Sequence, residues 1–173
     1  IARLITSSLL ERLLQKSIRV YIDHNVKSSA IAEMMNNEGK LISCDIYEHK
    51  LELIRELANR LGISIIEPTL MDGTVGNETW NNTADRVLVD APCSGLGVIR
   101  RKPEIKYKGI TEFSQLVDIQ AKILDASAKY VKSKGVLVYS TCTINIDENE
   151  KQIENFLERN KDFELIMQKQ FLP

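Results

Sequence analysis

From Lys27 onward, apolar runs of strand length alternate with longer amphipathic ones, and this alternation constrains the fold more than any other feature of the chain. The helices it predicts are Ser29 to Asn37, closed by Gly39; Tyr47 to Leu61, closed by Gly62; Glu112 to Lys132; and Asp147 to Arg159. In the third, Leu116, Ile119, Ile123, Leu124 and Val131 recur at helical spacing. The predicted strands are Lys40 to Cys44, Ile63 to Ile66, Arg86 to Val89 and Gly135 to Tyr139. Strands and helices in this order build a Rossmann-like α/β fold, a mostly parallel doubly wound sheet with flanking helices. The strands run out into Asp45, Glu67, Asp90 and Ser140-Thr141-Cys142. In an open α/β sheet the carboxyl ends of the strands line the ligand crevice, so these residues are expected to converge there.

Composition narrows the function classes. With 23 basic and 24 acidic residues the net charge is −1, so any attraction to a polyanion must be local. No apolar run approaches the roughly 18 residues that span a bilayer, and the first residues lack the order of a signal peptide, so a cytoplasmic location without membrane contact is expected. Cys44, Cys93 and Cys142 form neither an even set nor a CxxC pair, which argues against a disulfide framework and a structural zinc. His24 and His49 have no partner at metal-ligand spacing, so no metal site is expected. The polar stretch Asp72 to Asp85 reads as a surface loop, with Trp80 pinning it to the body.

The most specific segment is Asp90-Ala91-Pro92-Cys93-Ser94-Gly95-Leu96-Gly97, where a buried strand runs into a tight loop. Pro92 and two glycines fix a sharp turn that lets the backbone approach a flat ligand, leaving Asp90 and Cys93 toward the crevice. The second is Tyr139-Ser140-Thr141-Cys142-Thr143, a cysteine among small hydroxyl residues at another strand tip, where hydrogen bonds can favour the thiolate. Taken singly, Cys93 is equally a buried cysteine in a bend and Cys142 a small apolar residue at a strand end. Two such cysteines at two strand tips favour chemistry. Directly after the first loop, Ile99 to Lys108 carries five basic residues and one aromatic. Its position beside Cys93 suits Arg100, Arg101 and Lys102 to phosphates flanking a base drawn out of its stack.

Together DAPCSGLGVIRRKPEIKY, GVLVYSTCTINIDENE and SCDIYEHKLELI resemble the Sun-type family of RNA cytosine-5 methyltransferases, and most closely its bacterial 16S ribosomal RNA members. The resemblance covers roughly Lys27 to Pro173. It implies a class I methyltransferase fold, S-adenosylmethionine as cofactor and RNA, above all small-subunit ribosomal RNA, as partner. It further implies that Cys142 attacks the base, that Cys93 helps to release the product, that Asp90 stands near the target base, and that Lys27, Asp45, Asp72 and Asp90 hold the cofactor. On residue types alone, Asp45 also reads as a cap for the helix from Tyr47, and Asp72-Gly73 as a plain turn.

One segment departs from the family pattern. Between first strand and first helix the family carries a glycine-rich loop around the methionine part of the cofactor, whereas Arg19 to Ser29 here contains no glycine and fewer residues. Either the loop is lost and cofactor binding impaired, leaving an RNA-binding protein on a degenerate methyltransferase fold, or the sequence joins segments that are not contiguous in a parent protein. The second accords better with the full set of site residues after Lys27. Residues 1–26, with Leu4 to Gln15 helical in pattern and Ser17 to Asp23 strand-like, are then expected to be a remnant of an upstream helical RNA-binding domain or of the first strand. Residues 27–173 are expected to be the catalytic domain, incomplete at its carboxyl end.

Overall fold

The computed structural model describes the backbone of residues 2–6, 19–23, 27–107 and 110–168, and the side chains of residues 28–105 and 114–168. In chain order the elements are β1 (Ala2–Thr6), β2 (Arg19–Asp23), α1 (Lys27–Met34), β3 (Lys40–Asp45), α2 (Glu48–Leu61), β4 (Ile66–Leu70), β5 (Ala84–Asp90), α3 (Ile110–Ala128), β6 (Val131–Ser140), α4 (Glu150–Arg159) and β7 (Phe163–Gln168). The strands form one sheet in the order β4-β3-β2-β5-β6-β1-β7. Every neighbouring pair is parallel.

The chain steps outward from β2 through β3 to β4, then returns to lay β5 on the other side of β2. That reversal is the switch point at which open α/β sheets bind ligands. Because the strands are parallel and in step, their carboxyl ends meet at one edge: Cys44 pairs with Asp23, Asp45 with Leu70, Val89 with Asp23, and Asp90 with Ser140.

Successive strand residues point to opposite faces, so near-continuous apolar strands feed two cores. One contains Ile42, Val87, Val89, Leu137 and Tyr139 with Ile123 and Leu124 of α3 and Ile153 and Phe156 of α4. The other sets Leu41, Leu88, Val136 and Val138 against Ile31, Ala32 and Met35. Phe156 is fully buried and meets Phe163 edge-on at 5.3 Å. Its burial alone contributes on the order of 2–3 kcal/mol, which fixes α4 and the loop that leads into it.

Several boundaries differ from the sequence reading. Leu4 to Thr6 lies in a strand rather than a helix; residues 7–15 lie outside the described ones, as does His24. The strand expected at Ile63 to Ile66 runs instead from Ile66 to Leu70, because Pro68 is tolerated on an edge strand. Glu67 is therefore within β4, paired with Lys40, and Asp72 takes the tip position. Helix α3 stops at Ala128, and Val131 opens β6. No glycine or proline marks that break; the carbonyl of Tyr130 accepts the backbone N–H groups of Thr83 and Ala84 and draws the chain into the sheet. Strand β7 was not anticipated. Trp80 packs edge-on against Tyr130 at 5.6 Å and does pin its loop.

Candidate active site

Strands β5 and β6 end side by side and hand the chain to two loops that press against each other. After Asp90, the N–H of Ala91 still reaches the carbonyl of Ser140 at 2.9 Å, so the ladder persists one step beyond β5. Gly95 then adopts φ 73°, and a Cβ there would come within 2.9 Å of Ile105 Cδ1. Gly97 has a different role: its N–H donates to the carbonyl of Cys142 at 3.1 Å, and a Cβ would sit 2.9 Å from that oxygen. The close approach expected of this loop is thus made to the backbone of the second cysteine.

The consequence is that Cys93 Sγ and Cys142 Sγ stand 2.9 Å apart, both as free thiols. The N–H of Cys142 also donates to Cys93 Sγ at 3.2 Å. Two thiols this close share a proton once one ionises, so the first proton leaves easily and the second is held. The hydrogen bond from Cys93 pulls Cys142 down to about 7, with Lys102 assisting and with burial and Asp90 opposing. Cys93 moves well above the usual thiol range, because that same bond and its burial both favour the protonated form. Cys142 is the more exposed of the two, and it is the thiol poised to be a nucleophile.

Behind the sulfurs lies a buried polar network. Ser94 Oγ and Thr143 Oγ1 are 2.7 Å apart, joining the two loops directly. Glu148 Oε2 accepts the N–H of Ser94 and an N–H of Gln120 Nε2, each at 2.9 Å, and its Oε1 accepts from Asn145 Nδ2 at 3.1 Å. Gln120 Nε2 also reaches the carbonyl of Pro92 at 2.8 Å. The hydroxyl of Tyr139 donates to the carbonyl of Glu148 at 2.9 Å, and burial together with the Glu148 charge raises that phenol above its ordinary range. Helix α4 starts at Glu150 rather than Asp147 because residues 146–148 form a separate 3₁₀ turn, capped by Asn145, that points Glu148 inward.

Ser94, Tyr139 and Thr143 lie in the two segments singled out from the sequence, whereas Gln120, Asn145 and Glu148 were given no role. Gln120 carried a usable signal, since it lies on the same helical stripe as Leu116 and Leu124 and so was bound for the interior. Glu148 carried none, because an acidic residue near a helix start reads as an exposed cap.

The remaining site candidates occupy the same sheet edge. Asp45, at the tip of β3, is 2% exposed; its Oδ1 accepts the N–H of Tyr47 at 3.0 Å, and its Oδ2 lies 3.4 Å from Lys50 Nζ. The N–H of Met71 donates to the carbonyl of Asp45 at 3.0 Å, which brings Asp72 alongside. Asp72 Oδ1 takes the N–H and hydroxyl of Thr74 at 2.8 and 2.6 Å, a turn that holds its carboxyl below the usual range. Around these two, Ile46, Tyr47, Leu70 and Val75 are exposed, at 55%, 54%, 57% and 79%. Asp90 ends β5 opposite Ser140. Arg100, Arg101 and Lys102 are exposed on the loop after Cys93. Lys27 is the first residue of α1, and its side chain, like residues 24–26 before it, lies outside the described ones. His49 packs on Tyr47 at 5.6 Å.

Residues 25–172 match the model of the family described as 16S rRNA methyltransferase RsmB/F. The chain belongs to the RsmB/F family. It is 49% identical over 140 residues to the probable ribosomal RNA small subunit methyltransferase B of Bacillus subtilis, covering 80% of this chain and 31% of that protein. Its identity to the ribosomal RNA small subunit methyltransferase B of Photorhabdus laumondii is 43% over 131 residues, 74% of this chain and 30% of the other. The chain thus spans about a third of the length of the curated relatives it matches. Among solved structures, NSun6 from Pyrococcus horikoshii, crystallised with SFG, superposes with a TM-score of 0.76 at 26% identity, covering 87% of this chain and 40% of that one. The sheet with flanking helices is the class I methyltransferase fold, shared with NSun6 and with a methyltransferase homologue from Pyrococcus horikoshii that superposes with a TM-score of 0.73 at 27% identity, covering 85% of this chain and 47% of that one.

Proposed function

We propose that this chain is the catalytic region, over residues 27–173, of an S-adenosylmethionine-dependent methyltransferase that modifies carbon 5 of a cytosine in small-subunit ribosomal RNA. The observation that carries the reading is the pair of thiols 2.9 Å apart at adjacent strand tips, with Cys142 pulled down to about 7. Carbon 5 of cytosine is a poor nucleophile. Addition of the Cys142 thiolate to carbon 6 forms a C–S bond and places electron density on carbon 5, which becomes enamine-like. Asp90, at the strand tip beside Ser140, can share a proton with the ring nitrogen and draw electrons from carbon 6 as the sulfur adds.

The cofactor fits the other half of the edge. Acidic side chains at the tips of β3 and β5 and beyond β4 flank the switch point, and the exposed Ile46, Tyr47, Leu70 and Val75 offer an apolar wall for a flat heterocycle. Lys27, Asp45, Asp72 and Asp90 would hold S-adenosylmethionine, which supplies an electrophilic methyl group. After methylation the base still carries a proton on carbon 5. With Cys142 bonded to carbon 6, the hydrogen bond that held the proton on Cys93 is gone, and Cys93 gives that proton to solvent. Its thiolate removes the C5 proton directly or through a water, the C5–H electrons re-form the ring double bond, and the C–S bond to Cys142 breaks. Arg100, Arg101 and Lys102 grip phosphates on either side of the target nucleotide, and the Lys102 charge is felt at Cys142.

Nucleoside mass spectrometry of small-subunit RNA incubated with the full-length protein and isotopically labelled S-adenosylmethionine tests this. Labelled 5-methylcytidine is expected. Labelled methyl found only on another position or another base would overturn the reading, as would calorimetry showing no affinity for S-adenosylmethionine.

A further inference from the structure

Glu148 is 0% exposed, and its partners among the described residues are all neutral donors. Such a carboxylate is costly to bury compared with an apolar side chain of equal volume. Its bonds explain its presence. One oxygen is tied to Ser94, directly after Cys93, and to Gln120, which also holds Pro92, directly before Cys93. The other oxygen is tied to Asn145 on the Cys142 loop, while the backbone carbonyl of Glu148 receives the hydroxyl of Tyr139 from the strand that leads to Cys142. Each cysteine therefore sits in a short span held at both ends; three of the four ends bond Glu148 directly and the fourth, Pro92, reaches it through Gln120.

We infer that Glu148 is the positioning residue of the thiol pair, its buried carboxylate fixing the separation of Cys93 and Cys142 without touching substrate. The inference rests on reading those cysteines as the reacting groups, but its test does not depend on methyl transfer. The probe is a diazenedicarboxamide oxidant, which takes one hydrogen from each thiol, is reduced to the hydrazine and leaves a Cys93–Cys142 disulfide at a rate set by how often the sulfurs meet. The second readout is the pH dependence of Cys142 alkylation, located by peptide mass. Both are made on the full chain.

In Glu148→Ala the oxidation should slow by about tenfold or more, as expected when facing groups lose a fixed geometry. The alkylation midpoint should rise from about 7 toward the ordinary thiol range, because the bond that lowers Cys142 is lost. Glu148→Gln keeps the volume but sets an amide donor against existing donors, and should show the same changes at about a third of the size. Gln152→Ala removes another buried amide, bonded to the carbonyl of Val117 and not to either loop; it should lower the melting temperature and leave both thiol readouts at wild-type values. Wild-type thiol behaviour in the Glu148 variants, or equal changes in Gln152→Ala, overturns the inference. If Glu148→Ala does not fold, Glu148→Gln decides it alone. Should labelled methyl never reach cytosine, the functional reading fails while the oxidation rates still decide the role of Glu148.

Discussion

The two halves of the ligand edge are built on different principles. At β5 and β6 the loops are fixed by side chains from behind: Ser94 to Thr143, Glu148 to Ser94, Gln120 and Asn145, and the N–H of Gly97 to the carbonyl of Cys142. At β3 and β4 the site residues hold mostly their own neighbours, Asp45 the N–H of Tyr47 and Asp72 its own Thr74. A covalent step needs two sulfurs placed to a fraction of an ångström, and buried hydrogen bonds from several elements give that precision. Binding a cofactor through exposed apolar side chains and a few carboxylates tolerates more adjustment. The cysteine half should therefore answer to distant and backbone changes, and the cofactor half chiefly to loss of the contacting group itself.

The largest expected effect is on the cysteine side. Cys142→Ala removes the proposed nucleophile, and methyl transfer measured by isotope incorporation should fall by at least about 10⁴-fold with S-adenosylmethionine affinity unchanged. Next is Gly97→Ala, which touches no reacting atom yet must displace the Cys142 carbonyl; kcat should drop by about 100-fold, with little change in calorimetric cofactor affinity. A near-normal kcat would show that the cysteine half is less rigid than described. On the cofactor side, Asp45→Asn should weaken S-adenosylmethionine binding by about tenfold through loss of a charge-assisted hydrogen bond, leaving the alkylation midpoint of Cys142 near 7. If that midpoint moves as well, the halves are coupled and the contrast is broken. The smallest effect belongs to Lys102→Gln. Lys102 favours the Cys142 thiolate, so its loss should raise the midpoint slightly and weaken RNA binding by about threefold at moderate salt, with a shallower salt dependence.

The same contrast explains what the sequence made legible. Between Lys27 and Arg159, helix and strand existence followed from apolar periodicity, and the two cysteine loops from short motifs whose residue types have few other uses; β1 and β7 did not follow. Ends of elements were harder. Val131 has the spacing of a helical residue, and only the demand of Thr83 and Ala84 for the Tyr130 carbonyl places it at the mouth of a strand. Pro68 hides β4, since a proline rules out a central strand but not an edge one. Gln120 and Glu148 went unnoticed, and Ser94 was named without a role, because burial of a polar side chain is decided by what packs over it, which local pattern does not encode. Gly97 was noticed for close approach of the backbone, and the structure adds a neighbour that no local pattern names, the carbonyl of Cys142.

The division of labour between the two thiols is tested most directly by intact-mass spectrometry of the denatured full-length protein after incubation with small-subunit RNA and S-adenosylmethionine. Cys93→Ala should accumulate protein covalently joined to RNA, since it adds to the base but cannot release it, and Cys142→Ala should show no joined species. Accumulation in Cys142→Ala with none in Cys93→Ala would contradict the account.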